Sequence, residues 1–172
     1  LANHSLTREE VEFKKVGFAM MQSLADKRVD AVIGAKRHVD RQQLIQEGIK
    51  VIEFDMEEYG VPLYDEMILV ANREMLTRQR QNLVQFLDTL QRATLWAIDH
   101  PDEAWELVRK AEPSLDTPAN ADVWEDTLRY LALRPALLQA QRYKRFEAYL
   151  KELGLIETVT PAERLATDLS TP

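Results

Sequence analysis

In the first 71 residues, short apolar runs alternate with more polar segments, and in these segments the apolar residues recur at helical spacing. Three runs, Val29–Ala35, Ile49–Phe54 and Met67–Ala71, are mostly apolar and too short for globular helices, so each predicts a β-strand. A further strand is predicted over Glu12–Val16, where apolar and polar residues alternate loosely. Helices are predicted between them, from Gly17 to Leu24 or Asp26 and over Arg41–Glu47. Because strands and helices alternate, the pattern predicts an α/β fold with a parallel or mixed sheet.

From Asn72 onward the apolar positions follow the helical period. A long amphipathic helix is predicted to run to about His100, with an apolar face formed by Leu83, Phe86, Leu87, Leu90, Thr94 and Ala97. Pro101 ends it and begins the next helix, in which Trp105 and Val108 point inward. Further helices are predicted around Trp124, from Pro135 to Gly154, and as one turn over Pro161–Leu165.

Several helix ends can be predicted from single residues. Thr7 has the side chain of an N-cap, and Glu10 stands at the third position of the turn that follows, as in a capping box. Asn72 is a second predicted N-cap. Gly48 and Gly154 follow apolar helical patterns, which is typical of a left-handed residue just beyond a helix.

The stretch Arg28–Asp40 is the first candidate for a ligand site. Its apolar run is followed abruptly by the polar side chains of Lys36, Arg37, His38 and Asp40. Ligands of open α/β proteins bind where strands end, so these side chains are candidate ligand contacts. The alternative is a core strand followed by the start of a solvated helix, and periodicity alone does not decide between the two.

The stretch Tyr59–Glu66 is the second candidate. Tyr64 offers an aromatic face, and Asp65 and Glu66 offer acceptors, which together suit a flat polar ligand. The alternative is an exposed acidic loop in which Tyr64 covers the edge of the sheet. Gly17 and Phe18, at the predicted junction of strand and helix, could present backbone N–H groups to a ligand oxyanion.

Composition excludes several classes of protein. The net charge of −7 and the absence of a basic run argue against a nucleic-acid partner. The chain has no cysteine, which excludes disulfides and thiolate metal sites, and its three histidines are not at metal-ligand spacing. The catalytic motifs of hydrolases, metalloproteases and nucleotide-binding proteins are absent from the sequence, and the tryptophans fall on helical faces as core residues. We therefore expect neither catalytic residues nor a cofactor.

A family resemblance is carried by the segments KKVGF, RVDAVIGAKRHVDRQQL and EYGVPLYDEMILVANRE. They resemble the NMT1/THI5-like substrate-binding proteins of bacterial ABC importers, a group that includes binders of thiamine pyrimidine precursors. The similarity extends from about Val11 to Asp168. It implies an incomplete type II periplasmic-binding fold, with residues 1–66 in the second lobe and residues 67–172 forming a crossover strand and the helices of the first lobe.

The resemblance also implies a function. We expect a non-catalytic protein that captures a thiamine-precursor-like pyrimidine and delivers it to an ABC permease, in the periplasm or another extracytoplasmic space. Alternatives are a binder of another small solute such as a sulfonate, and a homodimeric structural or regulatory module. Fungal proteins of similar fold synthesise the pyrimidine with a cysteine-rich motif, so a chain without cysteine argues against that activity.

Two features depart from the family pattern. Members commonly carry aromatic-Arg-Asn-x-Glu where this chain has Lys36 to Asp40, so Arg37 is retained, Asp40 shortens the carboxylate, and His38 replaces the asparagine. The chain also begins with Leu1 rather than methionine and lacks the amino-terminal half of a usual member. We expect it to be a fragment, either of a truncated gene product or of a purified protein.

Overall fold

The computed structural model describes residues 7–37 and 39–170, and this part of the chain is helical. The α-helices are α1 Met20–Ala25, α2 Val39–Gln46, α3 Arg73–Arg78, α4 Arg80–Asp99, α5 Pro101–Ala111, α6 Pro118–Leu128, α7 Ala140–Glu152 and α8 Ala162–Leu165. Short 3-10 turns cover Arg8–Glu10, Met56–Tyr59 and Pro113–Leu115. None of the described helices combines the length and apolar character that a membrane span requires.

The predicted sheet is wrong. Residues 7–37 and 39–170 contain no β-strand, so the predicted α/β fold of the type II periplasmic-binding class is contradicted. A strand requires a neighbour that completes its ladder of hydrogen bonds, and β-branched composition does not supply one. In the predicted strands, side chains such as Ile33, Ile52 and Val70 are instead largely exposed.

The two predicted N-caps are confirmed. The Thr7 backbone N–H donates to Glu10 Oε2 at 2.8 Å, one half of a capping box, and this bond lowers the pKa of the Glu10 carboxyl. Asn72 Oδ1 accepts the backbone N–H of Glu74 at 2.8 Å and so begins α3. Local side-chain chemistry therefore determines where these helical segments start.

The predicted glycine ends of α2 and α7 are also confirmed. Gly48 has φ +77°, and the N–H of Ile49 reaches back to the carbonyl of Leu44 at 2.9 Å. Gly154 has φ +69° and is followed by the same backbone bond, from Leu155 to Leu150. This is the Schellman arrangement, in which glycine avoids the steric cost that a side chain meets at positive φ.

Backbone contacts divide the chain into two units, Leu1–Glu53 with Pro118–Val123, and Phe54–Thr117 with Trp124–Pro172. The first unit contains α1 and α2, and its buried residues include Ser23 and Leu44. The side-chain amides of Gln42 and Gln46 both donate to the Asp122 carboxylate, at 2.9 and 3.0 Å. These bonds fix α2 to the first residues of α6. The lobe boundary predicted after Glu66 stays a prediction.

In the second unit, α4 packs through its predicted apolar face. Leu87 and Thr94 are buried, whereas Phe86, predicted on that face, is 55% exposed. Trp124 donates its indole N–H to the Pro101 carbonyl at 2.8 Å and lies against Trp105, with 5.4 Å between ring centroids. Trp105 and Trp124 are therefore packing residues, as the helical pattern predicts, whereas Trp96, also predicted in the core, is 40% exposed.

The carboxyl-terminal segment of the second unit is fixed to α7 and to the residues before it. Glu147 is 8% exposed, and its Oε1 accepts the Thr160 backbone N–H at 2.9 Å. The Leu169 N–H donates to the Ala136 carbonyl at 3.0 Å. The predicted turn near Pro161 is present as α8, whose Ala162 is fully buried. These contacts hold α7 in place, and α7 carries one wall of the site described next.

Candidate functional site

One wall of the candidate site is the loop that follows the 3-10 turn Met56–Tyr59. Gly60, at φ +90°, ends that turn, and the loop then presents Tyr64 and Asp65 to a cavity. Met67 adopts φ +60°, which is uncommon for a residue with a side chain. The chain bends at Met67, and Asp65 and Ile68 on either side of the bend both line the cavity.

The other wall is one face of α7. Arg142 and Phe146 stand four residues apart and therefore lie on one side of the helix, with Tyr143 beside them. Together with the loop they enclose about 180 Å³, lined by Tyr64, Asp65, Ile68, Arg142, Tyr143 and Phe146. This volume is below that of drug-sized sites, so it suits a ligand of one small ring.

The aromatic part of the site is a stacked pair. The rings of Tyr64 and Phe146 have centroids 4.8 Å apart and planes 24° apart, and Tyr149 extends the row with its centroid 6.4 Å from that of Phe146. The side chains of this row are half-buried. A wall of this kind offers a flat apolar surface against which a planar ring can lie.

The polar part of the site is an ion pair. Arg142 Nη1 contacts Asp65 Oδ1, and the two side chains retain 28% and 30% of their exposure. Burial, with the charge of Asp65 as a second cause, raises the pKa of the Tyr143 phenol, and Arg142 opposes this shift. At neutral pH the cavity therefore contains a neutral phenol beside a paired guanidinium and carboxylate.

This arrangement can bind a ligand through an apolar face and a few directed hydrogen bonds. The guanidinium offers donors, the carboxylate offers acceptors, and the phenol offers one of each. Among the residues that the structure describes, no cluster of histidine, aspartate or glutamate is arranged to hold a metal ion. The cavity is therefore the candidate site for a small molecule.

The structure brings only part of the predicted site together. Tyr64 and Asp65 line the cavity, whereas Glu66 is exposed and is not among the lining residues. Gly17 has φ +57° and precedes α1 by three residues, and the Phe18 side chain is fully exposed. These last two residues belong to the first unit.

The predicted residues at the start of α2 also belong to the first unit. Asp40 Oδ2 accepts the backbone N–H of Lys36 at 2.7 Å, which closes the turn before the helix. Arg37 is half-buried, and His38 lies outside the described residues. The carboxylate of Asp40 thus has a local structural role, and ligand binding by this group stays a prediction.

A wider depression of about 710 Å³ lies along α4 and α5, with Trp96, Glu103 and Arg109 among its lining residues. None of the predicted ligand contacts lines it. Arg109 forms hydrogen bonds with Glu106 and lies 3.7 Å from Asp116, and these carboxylates raise its pKa. Because the smaller cavity includes the predicted contacts Tyr64 and Asp65 and the larger depression includes none, we assign the candidate site to the smaller cavity.

Sequence reasoning missed four of the residues that line the cavity, Ile68, Arg142, Tyr143 and Phe146. Tyr143 and Phe146 lie within the helix predicted from Pro135 to Gly154, and the structure places both in the wall of the cavity. The available signal was Arg142, a cation four residues before Phe146 on the same side of α7. A long charged side chain beside an apolar one often has a polar partner, here Asp65, 77 residues away in sequence.

A family model and several curated proteins are similar in sequence to this chain. The family model described as "NMT1/THI5 like" matches residues 1–104. A Haemophilus influenzae protein named as a thiamine biosynthesis protein is 38% identical over 95% of this chain and 52% of its own length. A formylaminopyrimidine-binding protein of Halalkalibacterium halodurans is 29% identical over 72% of this chain and 37% of its own.

More distant similarity reaches a Candida albicans 4-amino-5-hydroxymethyl-2-methylpyrimidine phosphate synthase, 20% identical over 90% of this chain and 48% of its own length. The chain spans about half the length of the curated relatives it matches. No solved structure matches it. The family match covers more than half of the chain, and the first relative matches nearly all of it. The family resemblance read from the sequence is therefore confirmed: the chain belongs to the NMT1/THI5-like family.

Proposed function

We propose that this chain binds a thiamine-related pyrimidine, without catalysis, as part of the substrate-binding component of an ABC importer. The observation that carries the proposal is the cavity that the stacked rings of Tyr64 and Phe146 line together with Arg142 and Asp65. Its stacked wall suits a planar ring, and Arg142 and Asp65 can donate to and accept from the ring nitrogens and amino group of an aminopyrimidine. The Halalkalibacterium relative is named as a formylaminopyrimidine-binding protein, which supports the same ligand class.

An extracytoplasmic location and an ABC permease as partner belong to this proposal. Their support is family membership. The predicted homodimer of a structural module is the second candidate, and the exposed apolar side chains of Ile33, Ile52 and Val70 favour it. Sedimentation at several concentrations separates the two, because a monomer at every concentration removes the dimer.

Thermal unfolding in the presence of ligand tests the binding function. The probes are 4-amino-5-hydroxymethyl-2-methylpyrimidine and, for the alternative ligand class, an aliphatic sulfonate. Pyrimidine at a hundredfold excess over its dissociation constant should stabilise the fold by about 2.7 kcal/mol. For a chain of this size, each kcal/mol raises the unfolding temperature by about 2–4 °C. A shift with the sulfonate alone would reassign the ligand, and no shift with either would contradict the proposal.

A matched pair of variants locates the effect in the cavity. Phe146→Leu removes one ring of the stacked pair, and an aromatic contact of this kind contributes about 0.5–1.5 kcal/mol, or up to about tenfold in affinity. Phe86→Leu makes the same change at an exposed position of α4 outside the cavity and should leave affinity unchanged. Recovery of the pyrimidine unaltered after incubation is expected, and its chemical conversion would contradict binding without catalysis.

A further inference from the structure

Arg142 is the one cationic residue among those that line the cavity, and its charge is balanced by a neighbouring carboxylate. The guanidinium is paired with Asp65, and both side chains have lost about 70% of their exposure, so water screens the pair only in part. The cavity therefore contains equal positive and negative charge. Glu66, the next residue along the loop, is exposed and carries a further negative charge.

This balance determines which ligand charges the cavity accepts. A phosphate monoester carries about −1.5 to −2 charges at neutral pH and requires cations or clustered N–H groups. Here it would have to separate Arg142 from Asp65 and then lie beside the released carboxylate. An uncharged ring meets no such requirement, because it can accept from the remaining guanidinium donors and donate to the remaining carboxylate lone pairs.

We propose that the Arg142–Asp65 pair makes this cavity selective for uncharged planar ligands over their anionic, phosphorylated forms. Arg142 and Asp65 are then the residues that determine charge specificity. The inference rests on the proposed pyrimidine function and adds to it the charge state of the ligand. The position of Tyr143 supports it, since a phenol whose pKa is raised by burial and by Asp65 shows that a further negative charge is disfavoured there.

Calorimetric titration of three related probes tests this selectivity. They are 4-amino-5-hydroxymethyl-2-methylpyrimidine, its phosphate ester, and its 5-aminomethyl analogue, which is cationic at neutral pH. Because placing like charges together costs several kcal/mol, wild type should bind the uncharged probe at least about a hundredfold more tightly than the phosphate ester. Asp65→Asn frees Arg142, so preference should move toward the phosphate ester by about tenfold or more.

Arg142→Gln should move preference the opposite way, toward the cationic analogue, because Asp65 is then unpaired. Arg145→Gln removes the same charge from an exposed position of α7 outside the cavity and should change no ratio. Opposite shifts in the two variants cannot arise from loss of structure alone, and far-ultraviolet circular dichroism verifies that each variant folds.

Equal affinity of wild type for the uncharged and phosphorylated probes would overturn the selectivity and leave the binding function standing. Ratios unchanged in both Asp65→Asn and Arg142→Gln would do the same. Absence of binding by wild type to any of the three probes would instead contradict the pyrimidine function, and with it this inference.

Discussion

The bond from the Thr160 backbone to Glu147 ties the carboxyl-terminal segment to α7, and we predict that Glu147→Ala releases it. Oε1 accepts the Thr160 N–H at 2.9 Å, and the residue is 8% exposed. A hydrogen bond to a charged group contributes about 1.5–3 kcal/mol, and loss of one buried methylene costs about 0.8 kcal/mol more. Among the described residues, Oε2 has no hydrogen-bond partner, so its removal offsets part of this cost.

We therefore expect the free energy required to detach this segment from α7 to fall by about 2 kcal/mol in Glu147→Ala. Hydrogen exchange at the Thr160 amide measures the loss locally, and 2 kcal/mol corresponds to about 30-fold faster exchange. Glu147→Gln keeps a carbonyl acceptor for the same N–H and should cost only about 1 kcal/mol, since the bond becomes neutral.

Glu152→Ala is the matched control, because Glu152 is an exposed residue in the last turn of the same helix. Such surface changes usually stay within about 0.5 kcal/mol. Equal Thr160 exchange in Glu147→Ala and Glu152→Ala would refute the reasoning, since it would mean that the buried carboxylate does not hold the segment.

Three further predictions concern helix geometry, titration and packing. Lys27 has φ +56° just beyond α1, a conformation that is strained for a residue with a side chain. Lys27→Gly should therefore raise the free energy of unfolding by about 0.5–1 kcal/mol in urea denaturation, and a decrease would show that this residue is not strained. The pKa of the Tyr143 phenol is raised, so its contribution to stability is present below about pH 10 and lost as pH rises through the folded-state pKa. In Asp65→Asn that pKa should fall, and NMR titration of isotope-labelled tyrosine checks the direction. Trp124→Phe leaves the Pro101 carbonyl without its 2.8 Å donor and should destabilise by about 1 kcal/mol in thermal unfolding, an effect that an unchanged unfolding temperature would exclude.

The helices were predictable because their signals are local. The Asn72 cap and the glycines after α2 and α7 act within a few residues, and the structure confirms them. Helix starts were less exact, since α1 begins at Met20 rather than Gly17 and α7 at Ala140 rather than Pro135. Propensity indicates that a helix forms, but hydrogen bonds at its first turn decide where.

The four predicted strands are absent from the described residues, because a strand depends on a partner that its own sequence does not specify. Ile33 and Ile52 have the right composition, and both are about 80% exposed in the structure. The site shows the same limit. Tyr64 and Asp65 were predicted from their chemistry, but Arg142 lies 77 residues from its partner, and no local pattern indicates that distance.

The central claim is that a pyrimidine binds between the Tyr64 loop and α7. Intermolecular nuclear Overhauser effects between the methyl group of 4-amino-5-hydroxymethyl-2-methylpyrimidine and the saturated protein test it most directly. We predict contacts to the Ile68 side-chain methyls and the Phe146 ring, two groups that line the cavity. Saturable binding with contacts only elsewhere, for example at Trp96 on α4, would contradict the assignment of the site.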